Sequence, residues 1–175
     1  MKHFPTESTA PAQSEIESWL PGAYFHDAWA IEAGQPNLDA LGQFLRLARM
    51  TPLWVERLMA LRNRIVSVLG LKNLGGLSQI DRAKKESEYA PGHRVGIFTL
   101  ISRSANEVLL GDSDQHLNVV VSVHKQAVGN GAALVTVTTV VHVNNWLGRL
   151  YMIPVTPAHR LIARAMVQTV GNAVN

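Results

Sequence analysis

Two neighbouring segments, residues 116–125 and 133–143, alternate between apolar and polar side chains, and this pattern constrains the fold more than any other. Alternate residues of a β-strand point to opposite faces of its sheet, so each segment is predicted to form a strand with one dry face. The turn-forming run Gly129-Asn130-Gly131 predicts that the two strands make a hairpin. The predicted dry face carries Leu117, Val119, Val121, Val123, Val135, Val137, Val141 and Val143.

The opposite face of this hairpin is polar, and we expect it to face water. It carries Asn118, Ser122, His124, Thr136, Thr138 and His142. Further strands are predicted at Ala23–Ile31, Val95–Ser102 and Glu107–Gly111, which gives an antiparallel sheet of about five strands. A sheet of this kind needs a second layer over its dry face.

The C-terminal segment is predicted to supply that layer as a helix. Thr156-Pro157 is expected to begin it, because proline is favoured in the first turn of a helix. The following residues place an apolar stripe opposite Arg160, Arg164 and Val167. The stripe consists of Ala158, Leu161, Ile162, Ala165, Met166 and Thr169.

Two shorter helices are predicted between the first strand and the remaining strands. Asn37 is expected to cap the first helix, Thr51-Pro52 to begin the second, and Gly70 to end it. The second helix has an apolar stripe of Trp54, Leu58, Leu61, Ile65 and Val68. Because Pro52 interrupts the pattern, we expect a bent helix pair, followed by a long connection over residues 71–93.

These elements predict an α+β protein in which an antiparallel sheet grips a long C-terminal helix, with a bent helix pair after the first strand. Residues 1–20 are rich in Pro, Ser, Thr and Glu and are predicted to form a flexible arm, with residues 21–175 as a single domain. The chain has no cysteine, which excludes disulfides and thiolate metal sites. Neither a signal peptide nor a membrane span is indicated, so we expect a cytoplasmic protein.

Charge is unevenly distributed along the chain. Residues 44–72 contain six basic residues against Glu56 alone, and residues 143–175 contain three arginines and no acid. Such regions bind nucleic acid, anionic lipid or phosphorylated ligands in some proteins. The alternative is that these arginines pair with the acidic N-terminal segment or are solvated. We favour the alternative and expect no nucleic-acid partner, because no recognition motif accompanies the charge.

No stretch matches a nucleophile elbow, a phosphate-binding loop, a zinc-protease motif or a dinucleotide fingerprint, so neither a cofactor nor a metal is predicted. Asp112, Asp114 and His116 form the densest titratable cluster and are weak candidates for acid–base catalysis. A tight turn explains the same residue types and is the favoured interpretation. His124 and His142 share the polar sheet face, where they are either neighbours able to bind an ion or ordinary exposed residues.

A second candidate site is predicted where the last strand leads into the last helix. Arg149 is suited to hold an anion, Tyr151 can present a hydroxyl, and Trp146 adds an aromatic surface. His159 is expected in the first turn of the helix, where the positive helix end favours an anion. The alternative, which the residue types favour, is that Trp146 and Tyr151 seal the edge of the core while His159 faces water.

Three blocks, Pro52–Ile65, Leu110–Asn118 and Asn145–Ile162, resemble in this order the bacterial domain-of-unknown-function family DUF2867. The resemblance covers about residues 21–170. Members of that family occur alone or fused behind NAD-binding, epimerase-like domains, which implies a dehydrogenase-like partner. The family has no established activity, so the resemblance implies no catalytic residues. The order of elements is also similar to the helix-grip superfamily, which includes START-type lipid carriers and polyketide cyclases.

Three functions are therefore open. The leading hypothesis is a module that binds a hydrophobic or amphipathic small molecule between the sheet and the last helix, with Arg149, Tyr151 and His159 at its polar end. The second is a small acid–base enzyme, cyclase-like or isomerase-like, that uses Asp114, His116 or His159. The third is an accessory module for an NAD-binding partner, and a homodimer is a further open alternative.

Overall fold

The computed structural model describes residues 4–68, 75–81 and 83–172, with the backbone only at residues 66 and 68. Within these residues the α-helices are α1 (Ala40–Arg49), α2 (Leu53–Val68) and α3 (Trp146–Gly171). The strands are β1 (Thr6–Glu7), β2 (Phe25–Glu32), β3 (Arg94–Val95), β4 (Phe98–Arg103), β5 (Glu107–Ser113), β6 (Leu117–Gly129) and β7 (Ala132–Val143). Short 3-10 helices lie at Glu15–Trp19 and Glu86–Glu88.

The seven described strands form one antiparallel sheet in the order β1-β2-β7-β6-β5-β4-β3. Its centre is the predicted hairpin, in which Leu117 pairs with Val143 and Val123 with Val137. This register puts the predicted dry residues of β6 and β7 on one face. The α+β prediction is therefore confirmed, with a long C-terminal helix packed on the sheet. The likeness to helix-grip folds stays a prediction.

The hairpin turn requires glycine at two of its positions. Gly129, Asn130 and Gly131 have φ angles of 92°, 50° and 76°, and side chains other than that of asparagine rarely tolerate this left-handed region. Backbone geometry therefore explains the turn that the sequence predicted.

The start predicted for the last helix is wrong. α3 begins at Trp146 rather than Thr156, and Asn145 caps it by accepting a hydrogen bond from the Gly148 N–H at 3.0 Å. Pro154 and Pro157 lie inside the helix, where each removes one backbone hydrogen bond. Proline is typical of helix starts, but here the packing of the whole segment on the sheet outweighs that preference.

The predicted inward face of α3 is also partly wrong. Leu161, assigned to the apolar stripe, is 68% exposed, whereas Val167, assigned to the opposite face, is fully buried. The buried positions are Gly148, Met152, Met166, Val167, Thr169 and Val170. The stripe was predicted from residues 158–169 alone. The helix starts ten residues earlier than predicted and packs on both β2 and α1, so a different face is buried.

The bent helix pair is present, with details that differ from prediction. Asp39 rather than Asn37 caps α1, since its carboxylate accepts a hydrogen bond from the Gly42 N–H at 2.8 Å. Thr51 donates its hydroxyl back to the Ala48 carbonyl at 2.7 Å. The predicted end of α2 at Gly70 and the side chain of Val68 lie outside the described residues. The stripe Trp54, Leu58, Leu61 and Ile65 is 40–55% exposed instead of lying in the core.

The sheet face predicted to be wet is covered over its centre. Residues 6–7 pair with β2 at the sheet edge, and the fully buried Ile16 packs on Leu109, Val120 and Val140. Ser122 lies beneath this layer and is buried. Residues 6–20, predicted as part of a flexible arm, thus have extensive contacts with the sheet. The alternation along β6 and β7 could not predict these contacts, because residues 6–20 lie about 100 residues or more before those strands in the chain. The division into domains stays a prediction.

Candidate functional site

A cavity of about 760 Å³ lies between the valine-bearing face of the sheet and the helices α2 and α3. Its sheet side is formed by Phe25, Leu117, Val119, Val121, Val137, Thr139 and Val141. Its α3 side is formed by Tyr151, Met152, Val155, Ala158, His159, Ile162, Ala163 and Met166, and α1 and α2 add Phe44, Leu58, Leu61, Arg62 and Ile65. The valines predicted to form the dry face thus line much of a cavity instead of only packing under a helix.

Small side chains explain why this space is not filled. Ala158 and Ala163 are the short residues that α3 turns toward the sheet, and the opposing sheet residues are mostly valines. Protein interiors are normally close-packed, with few voids larger than one water molecule. A volume of several hundred cubic ångströms with apolar walls is instead typical of small-molecule binding sites.

One polar group on the wall is an imidazole–carboxylate pair. His159 Nε2 on α3 lies 3.1 Å from Asp27 Oδ1 on β2, and Asp27 Oδ2 accepts a hydrogen bond from Trp29 Nε1 at 3.1 Å. The Phe25 ring meets the His159 ring edge-on with 5.4 Å between centroids. The Asp27 side chain is only 4% exposed and that of His159 is 25% exposed. A buried carboxylate thus orients a histidine on the cavity wall.

The second polar group is formed by Arg62 and Tyr151. Arg62 Nε donates to the Tyr151 hydroxyl at 2.9 Å, and the guanidinium carbon lies 5.4 Å from the centroid of the Tyr151 ring. Both residues line the cavity, as do Asp112 near the end of β5 and Asp114 in the turn that follows. Asp112 forms an ion pair with Arg94 at 3.5 Å. This contact between α2 and α3 therefore places a cation and a phenol hydroxyl at the same part of the wall.

The predicted cluster at Asp114 and His116 has a structural role. Asp114 Oδ1 accepts hydrogen bonds from the backbone N–H groups of His116 and Leu117, at 2.7 and 2.8 Å, as the turn interpretation expects. His116 is buried, and its Nδ1 lies within hydrogen-bond distance of the Asn145 amide, the cap of α3. His116 is not among the cavity-lining residues. Of the three weak candidates for catalysis, Asp114 and His159 therefore line the cavity, whereas His116 does not.

The four residues predicted to bind a ligand lie in two different places. Tyr151 and His159 line the cavity, whereas Trp146 and Arg149 line a shallow surface pocket of about 150 Å³. Trp146 is 73% exposed, so the expectation that it seals the core edge is wrong. His159 lies in the middle of α3, so the argument from a positive helix end does not apply to it. The expectation that it faces water is wrong too, because it pairs with Asp27.

His124 and His142 are not neighbours. His124 pairs with Thr136 across the hairpin, and His142 pairs with Asn118, six residues further along β7. At about 3.4 Å per residue this separates them by roughly 20 Å. The His142 Nε2 instead lies 3.2 Å from the Pro21 carbonyl. Among the described residues, no group of three or more His, Asp or Glu is arranged to hold a metal ion.

Sequence reasoning missed Asp27 and Arg62. The sequence does contain an indication of Asp27. Residues Phe25, Asp27, Trp29 and Ile31 share the inward face of β2, and a carboxylate is unusual among the apolar side chains of such a face. Arg62 offers no such signal. Its proximity to Tyr151, 89 residues away in the chain, arises only when α2 and α3 come together.

These features define an α+β domain with an apolar cavity beneath its long terminal helix, and the His159–Asp27 and Arg62–Tyr151 pairs are among the few polar groups at the cavity wall. The chain belongs to the family described as Protein of unknown function (DUF2867), whose model matches residues 19–166. No curated protein and no solved structure matched the chain. Of the helices in the described residues, none has both the length and the apolar character needed to cross a bilayer.

Proposed function

We propose that the protein binds an amphipathic small molecule in the cavity between the sheet and α3. The observation that carries this proposal is the cavity of about 760 Å³ with walls made almost entirely of aliphatic and aromatic side chains. Sites of 300–1,000 Å³ hold drug-sized ligands, and burial of their apolar surface drives binding. The apolar part of the ligand lies along the valines of β6 and β7.

Two polar groups select the polar end of this ligand. The Tyr151 hydroxyl accepts from Arg62 and keeps its own O–H to donate, and the neighbouring guanidinium adds positive charge, which together suit a carboxylate, phosphate or phenolate oxygen. His159, held by Asp27, offers a second hydrogen-bonding position on the same wall. Few convergent polar groups in an apolar cavity are typical of sites that fix the orientation of an amphipathic molecule.

The test is capture of the ligand followed by a blocking substitution. Native mass spectrometry of gently purified protein is expected to show a bound small molecule, and a dansylated fatty acid is expected to fluoresce when it enters the cavity. Ala158→Phe places a ring in the cavity and is expected to lower probe affinity at least tenfold. Ala60→Phe is the matched control, because Ala60 is exposed on α2 and does not line the cavity.

The result that would overturn the proposal is a protein that is always empty and takes up no probe. Equal probe affinities of Ala158→Phe, Ala60→Phe and the unsubstituted protein would also remove the cavity as the binding site. Circular dichroism of both variants checks that each remains folded.

A second function, acid–base catalysis on the same ligand, is favoured by the pairing of His159 and Asp27. The pairing with Asp27 occupies Nε2, which leaves Nδ1 as the ring nitrogen that can exchange a proton with a ligand. Such a nitrogen can take a proton from a ligand carbon next to a carbonyl and return it elsewhere. The expected result is deuterium uptake by the co-purified ligand in heavy water, lost in His159→Gln and retained in His116→Gln. Ligand binding without any exchange would leave only the carrier function.

A further inference from the structure

The opening of the cavity is surrounded by exposed apolar side chains. Leu58, Leu61 and Ile65 on α2 and Leu150 and Ile153 on α3 all line the cavity, yet each is between 40% and 66% exposed. We call these five residues the mouth. Exposed apolar residues concentrated in one place mark an interaction surface, whereas single ones need no explanation. The mouth therefore requires a partner that tolerates apolar contact.

Exposed arginines lie on both of the helices that form the mouth. Arg57 and Arg64 are exposed on α2, next to Leu61 on the helix surface, and Arg160 and Arg164 are exposed on α3. In the part of the chain that the structure describes, none of these four forms an ion pair. Glu56, the acid of α2, is engaged with the Ser78 N–H at 2.7 Å. The surface around the mouth therefore carries uncompensated positive charge.

We propose that this face docks on an anionic lipid bilayer, with the mouth against the membrane so that the ligand passes directly between bilayer and cavity. An apolar helix face flanked by arginines is typical of segments that lie in the membrane interface. The arginines contact anionic headgroups while the five apolar side chains enter the acyl boundary. The docking surface itself is defined by exposure and charge. Only the passage of ligand between bilayer and cavity rests on the proposed function.

Charge decides between a bilayer and a second copy of this chain. Two copies meeting mouth to mouth would bring the unpaired arginines of α2 and α3 against each other, and like charges at an interface oppose association. A surface of phosphate groups compensates the same arginines. The exposed Trp54 beside the mouth also fits a headgroup-level position, where tryptophan is enriched.

The test is flotation of the full chain with empty vesicles. We expect binding to vesicles of 70% phosphatidylcholine and 30% phosphatidylglycerol, and little binding to phosphatidylcholine alone. Each basic residue at an anionic surface contributes roughly fivefold, so Arg57→Gln with Arg64→Gln is expected to weaken binding by about 25-fold. Leu61→Gln with Ile153→Gln is expected to weaken it at least tenfold. Lys85→Gln and Val128→Gln, both exposed outside the mouth, are the matched controls and are expected to change little.

Insertion is checked separately by quenching of tryptophan fluorescence with brominated lipid. Quenching is expected in the unsubstituted protein and in Trp19→Phe, and is expected to fall in Trp54→Phe. No binding to anionic vesicles, or equal binding by mouth and control variants, would overturn the proposal. Concentration-dependent dimerisation abolished by Leu61→Gln would assign the mouth to a second copy instead. Because flotation does not use the dansylated probe, failure here leaves the probe-binding test of the cavity unaffected.

Discussion

Single buried carboxylates organise both faces of this sheet. Asp27 orients His159 on the cavity side, and Glu107 performs a comparable role on the opposite side. Glu107 Oε1 accepts hydrogen bonds from the Ser122 hydroxyl at 2.7 Å and the Ile16 N–H at 3.3 Å, and Oε2 accepts one from the Glu15 N–H at 2.7 Å. Buried acids are rare unless they are paired or hydrogen-bonded, and Glu107 meets that condition with the first N–H groups of the 3-10 helix.

The substitution Glu107→Gln is expected to lower the free energy of unfolding by about 2 kcal/mol, since hydrogen bonds to a buried charged group contribute roughly 1.5–3 kcal/mol. The amide keeps the size of the carboxylate but turns an NH₂ group toward backbone donors. Urea denaturation measures the change, and hydrogen exchange of residues 14–20 should accelerate. Glu7→Gln, at an exposed position of β1, is the control. Equal stability of both variants would show that Glu107 does not hold the segment.

At the level of elements, the start of α1 is tied to the segment before β3 by three charged residues. Asp39 accepts from the Gly42 N–H and from Arg103 Nη2 at 3.3 Å, and Arg103 Nη1 donates to the Glu86 carbonyl at 2.8 Å. A hydrogen bond with Asp39, together with burial, raises the pKa of Glu86 from 4.5 to about 7. The two carboxyl groups therefore share a proton at mildly acidic pH.

This arrangement predicts that stability depends on pH. Because the folded protein binds the Glu86 proton more tightly than the unfolded chain, the stabilisation is complete below about pH 4.5 and is lost as pH rises through about 7. Glu86→Gln can keep the hydrogen bond to Asp39 without titrating, so its stability should change less between pH 5 and 8 and should exceed that of the unsubstituted protein at pH 8. Urea denaturation across this range measures both. A variant with the original pH profile would refute the assignment to Glu86, and Glu7→Gln should retain that profile.

For the whole molecule, the position of α3 determines whether the cavity exists. Asn145 and His116 hold its first turn, and Arg46 of α1 donates to the carbonyls of Val170, at 3.1 Å, and Asn172 at its end. Between these ends the helix contains its two prolines and passes over the cavity. Its middle contacts β2 through His159 and Asp27, and the short side chains of Ala158 and Ala163 leave space over the valines of the sheet.

Arg46→Met should therefore destabilise the molecule by about 3 kcal/mol, because two carbonyls at the end of α3 lose a charged donor. Burial already lowers the pKa of Arg46, which is consistent with its desolvated position. Thermal and urea unfolding measure the loss. The matched control is Arg49→Met, an exposed arginine of the same helix, with an expected change below about 0.5 kcal/mol. Similar losses for the two variants would mean that the contact with α3 contributes nothing specific.

The local pattern of the sequence was sufficient for the central hairpin. Alternation and turn chemistry act between residues close in the chain, so they predicted strands β6 and β7, the Gly129–Gly131 turn and the dry face. Residue types near the strand-to-helix connection predicted Trp146, Arg149, Tyr151 and His159 as ligand contacts. Of these, Tyr151 and His159 line the cavity, although the helix-end argument used for His159 does not apply.

Only the tertiary structure decided the rest, because it depends on contacts between distant segments. The start of α3 follows from its packing on the sheet, which outweighs the helix-start preference of Pro157. The pairs His159–Asp27 and Arg62–Tyr151 join residues 132 and 89 positions apart, and no local periodicity encodes them. The cavity is likewise a tertiary feature, because its walls combine β2, β6 and β7 with all three α-helices, and these segments meet only when the chain folds.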